Sequence, residues 1–174
     1  MSRWSIVLLG VLAAGFVLAA DGSALVASTR LGGSGDEGAM SAVLDAAGNV
    51  HLVGHTTSPD FPTTAGAAQS ALGGAWDTYA AGFTADLGAL LYGTYLGGEL
   101  NEWAEHGLRW APDGALLYAG TTLSQGYPTT DGALQRVRSG ANDGFLSKLS
   151  PVDGSLAYST LLGGNGTEFY LWPS

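Results

Sequence analysis

The side chains able to do chemistry in this sequence are few, and most of them are repeated. Glu37, Glu102 and Glu168 each stand six residues after a leucine, Leu31, Leu96 or Leu162, that closes an apolar run. Three carboxylates in equivalent places could ring a channel and hold a hard cation such as calcium through oxygen. The competing expectation is that each accepts hydrogen bonds from the glycine turn beside it. Asp45 and Asp113 lie outside any D-x-D-x-D-G loop and are expected to form hairpin turns. His51 and His55 stand where the next repeat has Leu117 and Thr121. Four residues along a strand span about 13 Å, too far for two imidazoles to share one ion. They are expected as single surface histidines, since no nucleophile accompanies them as a general base would need. Trp76, Trp103 and Tyr127, at turns or near the ends of long connections, could offer flat faces to a sugar ring or a partner protein. Packing inside the fold is the other use of such rings. No G-x-S-x-G motif, cofactor loop or unique carboxylate pair is present, so no catalytic residue and no cofactor is expected. With no cysteine there is no disulfide and no thiolate ligand.

The elements that must position these residues follow from the repetition. The run Leu91-Tyr92-Gly93-Thr94-Tyr95-Leu96-Gly97-Gly98 has counterparts in Val26-Ala27-Ser28-Thr29-Arg30-Leu31-Gly32-Gly33 and Ala157-Tyr158-Ser159-Thr160-Leu161-Leu162-Gly163-Gly164. The repeated leucines are 65 and 66 residues apart. A fixed period of this size indicates stacked supersecondary units. Within the period, residues 39–45, 49–57 and 77–84 and the run 91–98 read as strands, the first two joined by a glycine hairpin. The second period repeats them through Asp113-Gly114, residues 115–122, Asp143-Gly144-Phe145-Leu146 and residues 154–162. Between the middle strands lie long connections, residues 58–75 and 123–141, carrying Phe61-Pro62-Thr63-Thr64 and Tyr127-Pro128-Thr129-Thr130. Connections of that length are often functional.

The expected fold class is therefore all-β, built of four-stranded antiparallel sheets of about 66 residues. Radial stacking as propeller blades would cover the faces of each sheet, giving two complete blades plus flanking strands of an incomplete β-propeller. The expected division is a signal peptide over residues 1–20, a lone outer strand over 21–33, repeats over 34–98 and 99–164, and the start of a third over 165–174. The leader reading rests on Arg3, an apolar run over residues 6–20 too short to span a bilayer, and a Val17-Leu18-Ala19 cleavage pattern.

The motifs Ser159-Thr160-Leu161-Leu162-Gly163-Gly164, Asp45-Ala46-Ala47-Gly48-Asn49-Val50, Asp60-Phe61-Pro62-Thr63-Thr64 with Gly66-Ala67-Ala68-Gln69, and Asp143-Gly144-Phe145-Leu146-Ser147-Lys148-Leu149 occur in fixed order. In this the chain resembles the SBBP family of exported bacterial seven-bladed propeller repeat proteins. The resemblance implies about seven blades, so the sequence is expected to be a piece of a longer protein. It also implies a surface or extracellular protein with no common activity. Trp110-Ala111-Pro112-Asp113 and Gln125-Gly126-Tyr127 depart from the family pattern at the edges of the second repeat.

Six Lys and Arg against fifteen Asp and Glu, a net charge of −9, argue against a nucleic-acid partner. No membrane span is expected once the leader is removed. The function expected is a non-enzymatic module, exported to the periplasm, cell surface or medium, that binds protein or carbohydrate or acts as a scaffold. The alternative is part of a secreted propeller hydrolase or lyase whose catalytic residues lie in other blades.

Overall fold

A computed structural model describes residues 5–9, 14–20, 24–105 and 107–167. The described residues contain strands and turns and no helix, hence no helix long and apolar enough to cross a membrane. Among the described residues twelve strands form three antiparallel sheets. The first sheet joins β1 (Ser5–Leu9), β2 (Ala14–Ala20) and β3 (Ala24–Leu31) in that order. The backbone of the expected leader thus pairs with the first copy of the repeated run, Ala14 opposite Leu31 and Ala20 opposite Ala24.

The second sheet is a meander of β4 (Glu37–Leu44), β5 (Val50–Thr56), β6 (Asp77–Phe83) and β7 (Leu90–Leu96). The third repeats it with β8 (Glu102–Ala104) and β9 (Arg109–Trp110) both paired to β10 (Leu116–Thr122), then β11 (Asp143–Leu149) and β12 (Leu156–Leu162). Its first strand is split in two, so the sheet has five strands where four were expected. The hairpin turns form for a local reason. The Asp45 carboxylate accepts the N–H groups of Ala47 and Asn49, both at 2.8 Å, and Gly48 takes φ +84°. In the second hairpin Gly114 again takes φ +84°, while Ala111 stands at the place of Asp45 and Asp113, two residues on, accepts the Ala115 N–H at 3.3 Å. Both aspartates are the turn formers expected.

Apolar burial stacks the sheets. Leu31 and Ala27 of β3 join Leu52, Tyr79, Ala81 and Tyr95 on one face of the second sheet. Val53, Ala80, Tyr92 and Leu96 on its other face meet Leu116, Tyr118, Phe145, Leu149 and Leu161 of the third. The second sheet is therefore covered on both sides, and β6 is buried at all of its residues. Polar bonds tie the same two sheets: the Trp110 indole N–H donates to the Leu44 carbonyl at 3.0 Å, and the Leu108 N–H to the Ser41 hydroxyl at 3.3 Å.

Candidate functional site

The repeated glutamates sit at one end of the sheets, where each first strand begins beside the end of the strand paired to it. Glu37 lies opposite Thr56 and Glu102 opposite Thr122. Glu102 accepts the Thr122 hydroxyl at 2.6 Å and the Gly98 N–H at 2.8 Å. Glu37 accepts the Thr56 hydroxyl at 2.8 Å and, still closer, that of Ser58. The two glycines after each repeated leucine make room for these contacts. A Cβ on Gly32 would stand 2.3 Å from a Glu37 oxygen, and one on Gly98 would stand 2.4 Å from the Ser124 Cβ.

At Gly97 two carboxylates meet. A Cβ there would lie 2.5 Å from an Asp77 oxygen and 2.7 Å from a Glu102 oxygen. Asp77 is fully buried and accepts the Gln69 amide at 2.9 Å with the N–H groups of Gly73 and Gly74 at 2.8 and 3.1 Å. Burial raises the Asp77 carboxyl above its ordinary range, with these three bonds opposing. Burial raises Glu102 as well, Ser124, Thr122 and Gly98 opposing and the charge of Asp77 adding to the shift. Asp143 repeats the arrangement with Gln135, Ser139 and Gly140, and a Cβ on Gly163 would meet it at 2.3 Å.

Hydroxyl and N–H donors therefore take the oxygens that a cation would need. Glu37 and Glu102 are clasps at the turn, and among the described residues no three His, Asp or Glu side chains come together to hold a metal. Glu168, the third candidate, lies outside the described residues.

The long connections do not stand free. Residues 61–75 lie along the outer edge of β7 as a strap. The Thr64 N–H donates to the Gly93 carbonyl at 3.0 Å, and the Gly93 N–H returns to the Thr64 hydroxyl at 3.2 Å. The Gln69 N–H donates to the Thr94 hydroxyl at 3.1 Å, the Tyr95 N–H to the Gln69 carbonyl at 3.0 Å, and the Gly97 N–H to the Gln69 side-chain oxygen at 3.0 Å. Thr130 and Gln135 make the same five bonds to Ser159, Thr160 and Leu161 of β12 and to Gly163 just after it. The strap gives partners to an edge that would otherwise expose them.

The three aromatic candidates occupy different settings. Tyr127 is a core residue, 2 % exposed and stacked on Phe145 at 4.5 Å, with its hydroxyl 3.0 Å from that of Ser147. The strap turns it inward, so its ring offers no face to a ligand. Trp76 is half-buried with its ring edge-on to His55 at 5.2 Å, and its carbonyl accepts the Glu102 N–H at 2.8 Å. Trp103 is half-buried on β8 opposite Thr121.

His51 is not the surface residue expected, and His55 is half-buried. His51 is 1 % exposed, edge-on to Trp110 at 5.1 Å, with Nδ1 3.1 Å from the Tyr92 hydroxyl and Nε2 3.5 Å from Asp45. An ionised carboxylate only accepts, so Nε2 carries the proton and Nδ1 accepts from Tyr92. Burial lowers the His51 pKa against the pull of Asp45, and burial alone lowers that of His55. Burial raises the Tyr92 hydroxyl far above the range in which it would ionise.

No family model matches the chain, and no curated protein matches it either. Sequence reasoning missed the meeting of Asp77 with Glu102 and the pairing of His55 with Trp76. The first carried a signal, since Asp77 and Asp143 recur at the repeat offset. The second carried none, because Thr121 and Asn142 replace both rings in the next repeat.

Proposed function

We propose that this chain is a non-enzymatic β-propeller repeat module of the SBBP kind, exported from a bacterial cell and serving as a scaffold or binding surface for extracellular protein or carbohydrate. One observation carries the reading: the strap on β7 and the donors around Asp77 recur bond for bond on β12 and around Asp143, at the sequence offset of the repeat. Residue types that elsewhere do chemistry are engaged here in holding the repeat together. In this reading the two larger sheets are blades, and export removes residues 1–20 so that β3 remains as an outer blade strand.

A direct test is to append a second copy of residues 99–164 after Gly164. Stacked units gain an interface term with each neighbour, so the extended chain should melt at a higher temperature and more cooperatively. An unchanged or lower melting temperature would count against a repeat scaffold. Export is tested separately by intact mass after expression in a bacterial host, where loss of about twenty N-terminal residues is the expected result.

A further inference from the structure

We propose that the outer edge of β3 is a docking site for an extended peptide that carries threonine and glutamine five residues apart, the pattern of the straps. Two occupied examples lie in the same molecule. On β7 and on β12 a strap uses its threonine N–H and hydroxyl, its glutamine N–H and carbonyl, and the glutamine side-chain oxygen. The receiving positions are Gly93, Thr94, Tyr95 and Gly97 on one edge, and Ser159, Thr160, Leu161 and Gly163 on the other.

The aligned positions of β3 are Ser28, Thr29, Arg30 and Gly32. Thr29 keeps the hydroxyl that accepts the glutamine N–H, and Gly32 keeps the N–H that reaches the glutamine side chain. β3 has one hydrogen-bonded neighbour among the described residues, β2, and the register between them slips at Val26, as that between β6 and β7 slips at the aligned Leu91, so β2 takes the side that β6 takes on β7 and not the strap side. Ser28 and Arg30 are exposed, and Val26 is 62 % exposed. Among the described residues no strap lies on this edge, which is the side of β3 away from β2.

One position differs in a way that defines the partner. Where Tyr95 and Leu161 stand on the other edges, β3 has Arg30. On β7 the strap sets Phe61 against Tyr95 at 5.6 Å. A guanidinium in that place holds an aromatic ring by cation–π attraction and favours an acidic neighbour. The segment over residues 58–72 of this chain has both, in Asp60-Phe61 ahead of Thr64 and Gln69. The partner is thus a strap of another repeat unit, added to the edge by β-augmentation.

The probe is a fluorescein-labelled synthetic peptide of residues 58–72, titrated with the full chain and read by fluorescence anisotropy. Saturable binding is expected. A peptide with Gln69→Ala should bind about 5-fold more weakly, the loss of one neutral hydrogen bond. The chain variant Thr29→Val should lose a similar factor towards the unaltered peptide. No binding, equal binding of the Gln69→Ala peptide, or an unchanged affinity in a folded Thr29→Val chain would each overturn the proposal. The peptide variant needs no change in the protein, so misfolding cannot mimic the result. Propeller closure does not enter, so failure of this test leaves the repeat-scaffold reading standing, and the converse holds.

Discussion

Single residues in this molecule are held by what the neighbouring repeat does at the same position. Tyr79 is fully buried with no partner for its hydroxyl, and the next repeat has Phe145 in its place. Tyr79→Phe should stabilise the chain by about 1 kcal/mol, seen as a higher denaturant midpoint with an unchanged slope. Gly97→Ala should act in the opposite direction, since its Cβ would stand 2.4 Å from the Asp77 Cγ, whereas nothing lies within 4 Å of a Cβ on Gly107. A loss of about 2–4 kcal/mol is expected at Gly97 and almost none for Gly107→Ala. The histidines give a pH dependence. Their pKa values are lowered in the folded state, so folding opposes protonation. The stability they contribute is full above the unfolded value near 6.5 and is lost as pH falls through it towards the folded value. Asp77 and Glu102 act in the opposite sense, because raised carboxyl pKa values favour folding at low pH and that gain is lost as pH rises through them. A chain with His51→Leu and His55→Thr, the residues of the next repeat, should therefore lose less stability than the parent between pH 7 and pH 5. Equal losses, measured by denaturant melts, would show that the seam carries no such dependence.

Among the elements, the strands were legible in the sequence and the straps were not. Strand runs closed by glycine announce themselves locally, and residues 49–57 and 77–84 were expected close to where β5 and β6 lie. A strap has no period of its own, because its partners lie 25 to 29 residues away on a different strand. Its Pro-Thr-Thr and Gln therefore read as loop residues. The burial of His51 was hidden for another reason. Alternation along a strand marks the inward face only when one face is wet, and β5 is covered on both, by β3 on one side and the third sheet on the other. The strap's role predicts a measurable weakness. Gln135 joins β12 to Asp143 through its side chain, so Gln135→Ala should cost about 1–3 kcal/mol and speed amide exchange at Leu161 and Gly163. Unchanged exchange at those two amides would mean that the strap does not hold the edge.

Across the whole molecule the decisive asymmetry is how many faces of each sheet are covered. On the side of the second sheet that meets the third, Val53, Ala80 and Leu96 are buried to 1 %. The equivalent residues of the third sheet are Ala119 and Leu146, half-buried, and Leu162, 45 % exposed. Apolar burial contributes about 25 cal/mol per Å², so a sheet covered on one face has a smaller share of the stabilisation than one covered on both. Clasps and straps do not make up the difference, because both sheets have them in equal measure. The third sheet should therefore open before the second. Native-state amide exchange is the measurement: β11 and β12 should exchange through openings of lower free energy than β5 and β6. Uniform protection across both sheets would mean that the seam at Tyr92, Tyr118 and Trp110 couples them into one cooperative unit. Appending a further unit over the exposed face should then leave the exchange of β11 unchanged. In the graded case it should raise that protection to the level of β6, because the added sheet would give the third the second cover that the middle sheet already has.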